Sequence, residues 1–110
     1  MNTKRMIKQS TLSFIVFTTL ANTSVFAEDS TFANVCSDCH AGGFKGWVSG
    51  APNINKKNKW DEFLNRHTAE EMKEIVVNGL SDHKRKGGCK TCSKDDIEAS
   101  VDYMLALVSQ

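Results

Sequence analysis

The chain has 110 residues, which allows a single domain of ordinary size. Its 14 Lys and Arg nearly balance its 13 Asp and Glu, for a net charge of +1, so it lacks the clustered basic face of a nucleic-acid binder. A chain this small buries little apolar surface and gains from a staple, and four cysteines are available as one.

The first element is a targeting signal. Lys4, Arg5 and Lys8 precede the short apolar run from Leu12 to Leu20, and Val25-Phe26-Ala27 ends the segment with small residues at the positions a signal peptidase reads. The run is too short and too rich in Thr and Asn to span a membrane comfortably. The expectation is a secretory signal over 1–27, cleaved to leave a domain over 28–110. Removing three bases and no acids takes the net charge from +1 to −2. An exported chain folds in an oxidising compartment, where cysteines end up bridged or chemically occupied.

The spacing predicts a helix from Asp29 to Cys39, with Phe32, Val35, Cys36 and Cys39 near one face. From Ala41 to Asn58 periodicity is lost among Gly, Asn and Lys around the single proline, Pro52, and the stretch reads as a long loop. A short helix is expected from Trp60 to Arg66. Thr68 with Glu71 is a capping box, and the helix it opens carries Met72, Ile75 and Val76 on one face and stops near Gly79. Leu80 to Lys90 reads as a charged loop. Ser93 with Asp96 opens a last helix with Ile97, Val101, Met104, Leu105 and Val108 at helical spacing. No stretch alternates as a strand, so the expected class is all-α, with three or four short helices and two long loops.

The chemistry sits in Cys36-Ser37-Asp38-Cys39-His40, a C-x-x-C-H sequence of the kind that attaches haem c. Residues three apart share one side of a helical turn. Two thiols so placed reach the two vinyl groups on one haem edge, and the next residue brings its imidazole to the iron. That imidazole needs an acceptor for its other nitrogen, and a backbone carbonyl near Pro52 is the candidate. Two rival readings use the same cysteines. A four-sulfur zinc site would pair Cys36 and Cys39 with Cys89 and Cys92, but leaves His40 without a role. A thioredoxin-like dithiol expects a βαβ pattern that this chain lacks.

The mature chain resembles the class I c-type cytochromes, and most of all the small bacterial cytochrome c5 group. The residues that carry the likeness are Cys36 to His40, Gly50-Ala51-Pro52, Trp60, Gly87-Gly88-Cys89 with Cys92, and a final helix from Ser93 that contains Val101-Asp102-Tyr103-Met104. The resemblance implies a small cytochrome c fold around one covalent haem, and a disulfide between Cys89 and Cys92, which fits two cysteines without a neighbouring His in an oxidising compartment. It also implies Trp60 near the haem, with its indole N–H placed to meet a propionate.

The chain departs from that pattern at the sixth iron ligand. The family carries a Met-Pro pair shortly before Gly87-Gly88, whereas this sequence reads Leu80-Ser81-Asp82-His83-Lys84-Arg85-Lys86. Counting back from Gly87, His83 falls where the ligand Met would be, which makes His83 the candidate sixth ligand and the haem bis-histidine. Met/His ligation raises the potential, so its loss is expected to lower it. His67 is a weaker rival with a place at the start of the next helix, and Met72 and Met104 read as core. A second departure is the stretch Ala41 to Ser49 with Phe44 and Trp47, read either as a surface insertion with partly covered aromatics or as a flap or partner contact.

The expected function is a periplasmic one-electron carrier in a respiratory chain, docking transiently on a membrane oxidase or reductase, and not an enzyme. Phe32, Val35, Ile54, Phe63, Leu64, Ile75, Leu80, Met104 and Leu105 are expected to wrap the ring. Lys84, Arg85, Lys86 and Lys90 form either a basic rim that steers an acidic partner or a solvated loop. The alternatives are a haem-based gas binder or sensor with a weak or open sixth position, and a small peroxidase with His83 as its acid-base group.

Overall fold

A computed structural model describes residues 28–110. The expected signal over 1–27 lies outside the described residues. A π-helical turn, Phe32–Cys36, runs without a break into α1, Ser37–His40. Then come α2, Gly43–Ser49; a 3-10 turn, Lys57–Lys59; α3, Asp61–Arg66; α4, Ala69–Asn78; a 3-10 turn, Arg85–Gly88; and α5, Lys94–Val108. The fold is all-α, as the absence of strand patterning predicts.

The first helical stretch is tied to the last by Asp29. Its carboxylate accepts from the Phe32 N–H at 2.7 Å and from the Ser100 hydroxyl at 2.6 Å. Ser100 is fully buried on α5, and its hydroxyl lies between the Asp29 carboxylate and the Asp96 carbonyl, 3.0 Å away on its own helix, so the buried polar group is satisfied. Phe32 completes the junction, buried with its ring 5.2 Å from that of Tyr103. The expected regular helix from Asp29 is instead widened over one turn, with the Ser37 N–H bonded to the carbonyl of Phe32 five residues back. The widening ends at Cys36, which caps the ordinary helical turn that carries Cys39 and His40.

The later helices follow their local signals. Thr68 and Glu71 exchange both bonds of a capping box, as do Ser93 and Asp96. Gly79 closes α4 in the left-handed conformation (φ 70°), which a side chain would resist. α4 packs on α5. Met72 and Val77 are buried on the first, and Ile97, Val101, Met104 and Val108 on the second, so both methionines are core as expected. A second cluster joins Phe32, Trp60, Met104 and Val108, with Cys36, Ile54, Leu64 and Tyr103 against it.

The stretch from Ala41 to Ser49 corrects the loop reading, since most of it is α2. This helix packs on α1 through Gly46, where an added Cβ would stand 2.7 Å from the Cys39 carbonyl oxygen. A helix whose inward position is a glycine shows no apolar periodicity facing a core, and that is why the sequence pattern missed it. Phe44 and Trp47 are 77% and 80% exposed, so they are not partly covered either. Among the described residues no helix is long and apolar enough to cross a membrane.

Candidate haem site

His40 ends α1, and its Nδ1–H donates to the Pro52 carbonyl at 2.9 Å, the partner anticipated from sequence. The same segment is held by the Ile54 N–H, which donates to the His40 carbonyl at 2.8 Å. Burial lowers the His40 pKa from its ordinary value; the Pro52 bond opposes this, and the neighbouring His83 adds to the lowering. The ring is therefore kept neutral, with its lone pair on Nε2, the form that binds a metal.

His83 lies on the turn between α4 and the Arg85–Gly88 turn. Its Nδ1–H donates to the Lys84 carbonyl at 2.7 Å, which again leaves Nε2 free. The two imidazoles are nearly parallel, 12° apart, with centroids separated by 6.2 Å. Two neighbouring imidazoles, each with Nδ1 engaged by a carbonyl and Nε2 left over, are a donor set that fits iron.

The segment that carries His83 is closed by Gly79, where a Cβ would meet the backbone nitrogen of Arg85 at 2.9 Å and its Cβ at 2.8 Å. Within it Ser81 (φ 50°) and Asp82 (φ 64°) both occupy left-handed backbone, at a cost of about 1–2 kcal/mol each. The far side of the turn is fixed by Lys86, whose Nζ donates to the Cys92 carbonyl at 3.0 Å, and by Cys89 and Cys92, whose sulfurs are 1.98 Å apart. Lys86 thus anchors the turn, and leaves Lys84, Arg85 and Lys90 as the exposed basic rim.

Cys36 and Cys39 are free and half-buried. Burial, then Asp29, then Cys39 push the Cys36 thiol up to about 11. A redox-active dithiol needs a lowered value, so the thioredoxin-like reading fails on chemistry as well as on fold. The zinc reading fails because the Cys89 and Cys92 sulfurs meet each other, and among the described residues no group of three or more His, Cys, Asp or Glu side chains is placed to hold a metal.

Trp60 corrects one expectation, its indole bond to a propionate. Its ring lies 5.6 Å from His40, inside the site, but its indole N–H donates to the Asn53 carbonyl at 3.0 Å and is not free for a propionate. A buried indole takes the nearest acceptor, and the turn after Pro52 supplies one. His67 ends α3 as its C-cap, immediately before the Thr68 N-cap of α4, with its ring 3.8 Å from Glu71. Of the apolar residues expected to wrap the ring, Phe32 and Met104 lie in the core, while Phe63 and Leu80 are exposed at 42% and 49%. Phe63 flanks Trp60 at 6.3 Å, and the Leu80 carbonyl accepts from the His83 N–H. Sequence reasoning missed Gly46 and the Lys84 carbonyl, and read Gly79 as a helix stop without its close approach to Arg85.

A small all-α domain with a C-x-x-C-H turn at the end of its first helix is the arrangement of a class I c-type cytochrome. Residues 27–104 match the sequence profile of the family described as cytochrome C oxidase, cbb3-type, subunit III, and the chain belongs to that family. It carries covalently bound haem c and iron, and it transfers electrons to and from redox protein partners. No curated protein and no solved structure matches the chain significantly.

Proposed function

We propose that the chain, exported to the periplasm with residues 1–27 removed, is a c5-like monohaem cytochrome that shuttles single electrons in a respiratory chain, to or from a membrane oxidase or reductase. Cys36 and Cys39 would hold the haem through thioether bonds, and His40 and His83 would hold its iron. The haem supplies a reversible one-electron couple. The chain's own residues do the rest: Pro52 orients His40, Trp60 excludes water beside it, and the Lys84 carbonyl holds His83 in one tautomer. The Cys89–Cys92 disulfide fixes the turn that leads into α5.

The observation that carries this reading is the 6.2 Å separation of two nearly parallel imidazoles, each with its Nδ1 already engaged by a carbonyl. The test is His83→Met, with absorption spectra in both redox states and a potential titration. Ligation by His83 predicts a sulfur-to-iron charge-transfer band in the ferric form and a higher potential. Unchanged spectra sink the bis-histidine haem, and an exported chain with no added porphyrin mass sinks the cytochrome itself.

One observation favours a second reading, a haem-based gas binder. Two consecutive non-glycine residues with positive φ immediately precede His83, and releasing that ring would relax them. Ready binding of carbon monoxide by the ferrous protein supports the gas binder; a ferrous spectrum indifferent to it supports the carrier.

A further inference from the structure

α2 is an amphipathic helix turned outward. Phe44, Trp47 and Val48 share one face at i, i+3 and i+4 spacing, are 77%, 80% and 62% exposed, and the two aromatic rings touch at 6.1 Å. The opposite side is Gly46, seated on the Cys39 carbonyl. The apolar face therefore stands one helix thickness from the segment that holds the haem. Folding gains nothing from exposing two aromatics there, and exposed apolar patches of this kind mark interaction sites.

Area and charge identify the occupant. A whole aromatic side chain presents ~150–250 Å², so the three residues expose about 400 Å². Even matched by an equal partner patch this is ~800 Å², short of the ~1,000 Å² a stable interface requires and within the range of brief electron-transfer encounters. A permanent dimer through this face is thereby disfavoured. The one charge on the helix, Lys45, is held by Asp38 at 2.9 Å, so the patch is locally neutral and its contact is apolar.

We infer that Phe44, Trp47 and Val48 form the docking face for a membrane-bound redox protein that presents an apolar surface beside its own cofactor. This deepens the carrier reading and rests on it. In the encounter the carrier loses one electron and the partner gains it; no bond forms or breaks and no proton is required.

The test uses the ferrous holoprotein and washed membranes of its source cells, with ferricyanide as a small oxidant that needs no docking face. Phe44→Ala and Trp47→Ala are expected to raise the half-saturating concentration for oxidation by membranes at least about tenfold, the effect of losing an aromatic anchor. The ferricyanide rate and the haem spectra should stay as in the wild type. Half-saturation unchanged in both variants overturns the docking face. So does a wild-type half-saturation that climbs steeply with salt while Trp47→Ala has no effect, because docking is then electrostatic. Tight wild-type binding to protein-free phosphatidylcholine and phosphatidylglycerol vesicles, abolished by Trp47→Ala, makes the patch a lipid contact and also overturns it. A wild type that ferricyanide oxidises but membranes do not removes the respiratory partner itself, and one inert to both removes the carrier.

Discussion

Gly46→Ala tests how α2 is built onto the haem-bearing turn. In an unconstrained helix interior this change stabilises by about 1 kcal/mol, because alanine loses less backbone freedom than glycine. Here the new Cβ would stand 2.7 Å from the Cys39 carbonyl oxygen and 3.6 Å from its carbon, and the obstructing atom is backbone. Relief requires α1 and α2 to part by roughly half an ångström, and overpacking of this kind costs about 1–3 kcal/mol. The steric cost outweighs the propensity gain, for a net loss of about 1 kcal/mol. In a domain of this size that lowers the melting temperature of the ferric holoprotein by about 4–8 °C, measured by far-ultraviolet circular dichroism. The displaced carbonyl belongs to Cys39, so the haem absorption should shift as well. Val48→Ala, on the exposed face of the same helix, should leave both readings almost unchanged. A Gly46→Ala protein that melts above the wild type would show that helix propensity prevails and that the close approach to Cys39 does not constrain the site.

Trp60→Phe removes the buried indole bond to the Asn53 carbonyl while keeping most of the ring. The Asn53 carbonyl keeps its bond from the Lys56 N–H, so only the indole bond is lost, at about 0.5–1.5 kcal/mol in a denaturant titration, and a midpoint equal to the wild type would show that the indole bond adds nothing to stability. Gly79→Ala places a Cβ against Arg85 at a left-handed position, which opens the neck of the His83 turn. Its ferrous form should bind carbon monoxide more readily than the wild type; identical binding would mean that the neck does not hold His83 in place.

Local signals in the sequence were enough for much of this molecule. Both capping boxes, the stop of α4 at Gly79, the apolar stripe of α5 and the all-α class each depend on residues within a few positions of one another, where helical periodicity and capping chemistry act. The C-x-x-C-H turn is legible for the same reason, since its chemistry needs only one helical turn. Counting along a family pattern was enough to bring His83 forward, but not to place its ring near His40.

Contacts between segments far apart in sequence were decided by the tertiary structure. The 6.2 Å pairing of His40 with His83 joins positions 43 apart along the chain. The seat of α2 on Cys39 is made by a glycine, a residue with no side chain to leave a hydrophobic signature. The indole of Trp60 had two plausible acceptors, and packing around Pro52 chose the backbone one. Periodicity reports which way a helix turns an apolar stripe, but a backbone-to-backbone approach has no residue-type code beyond glycine, and the direction of a polar side chain is set by whichever partner the completed fold brings within reach.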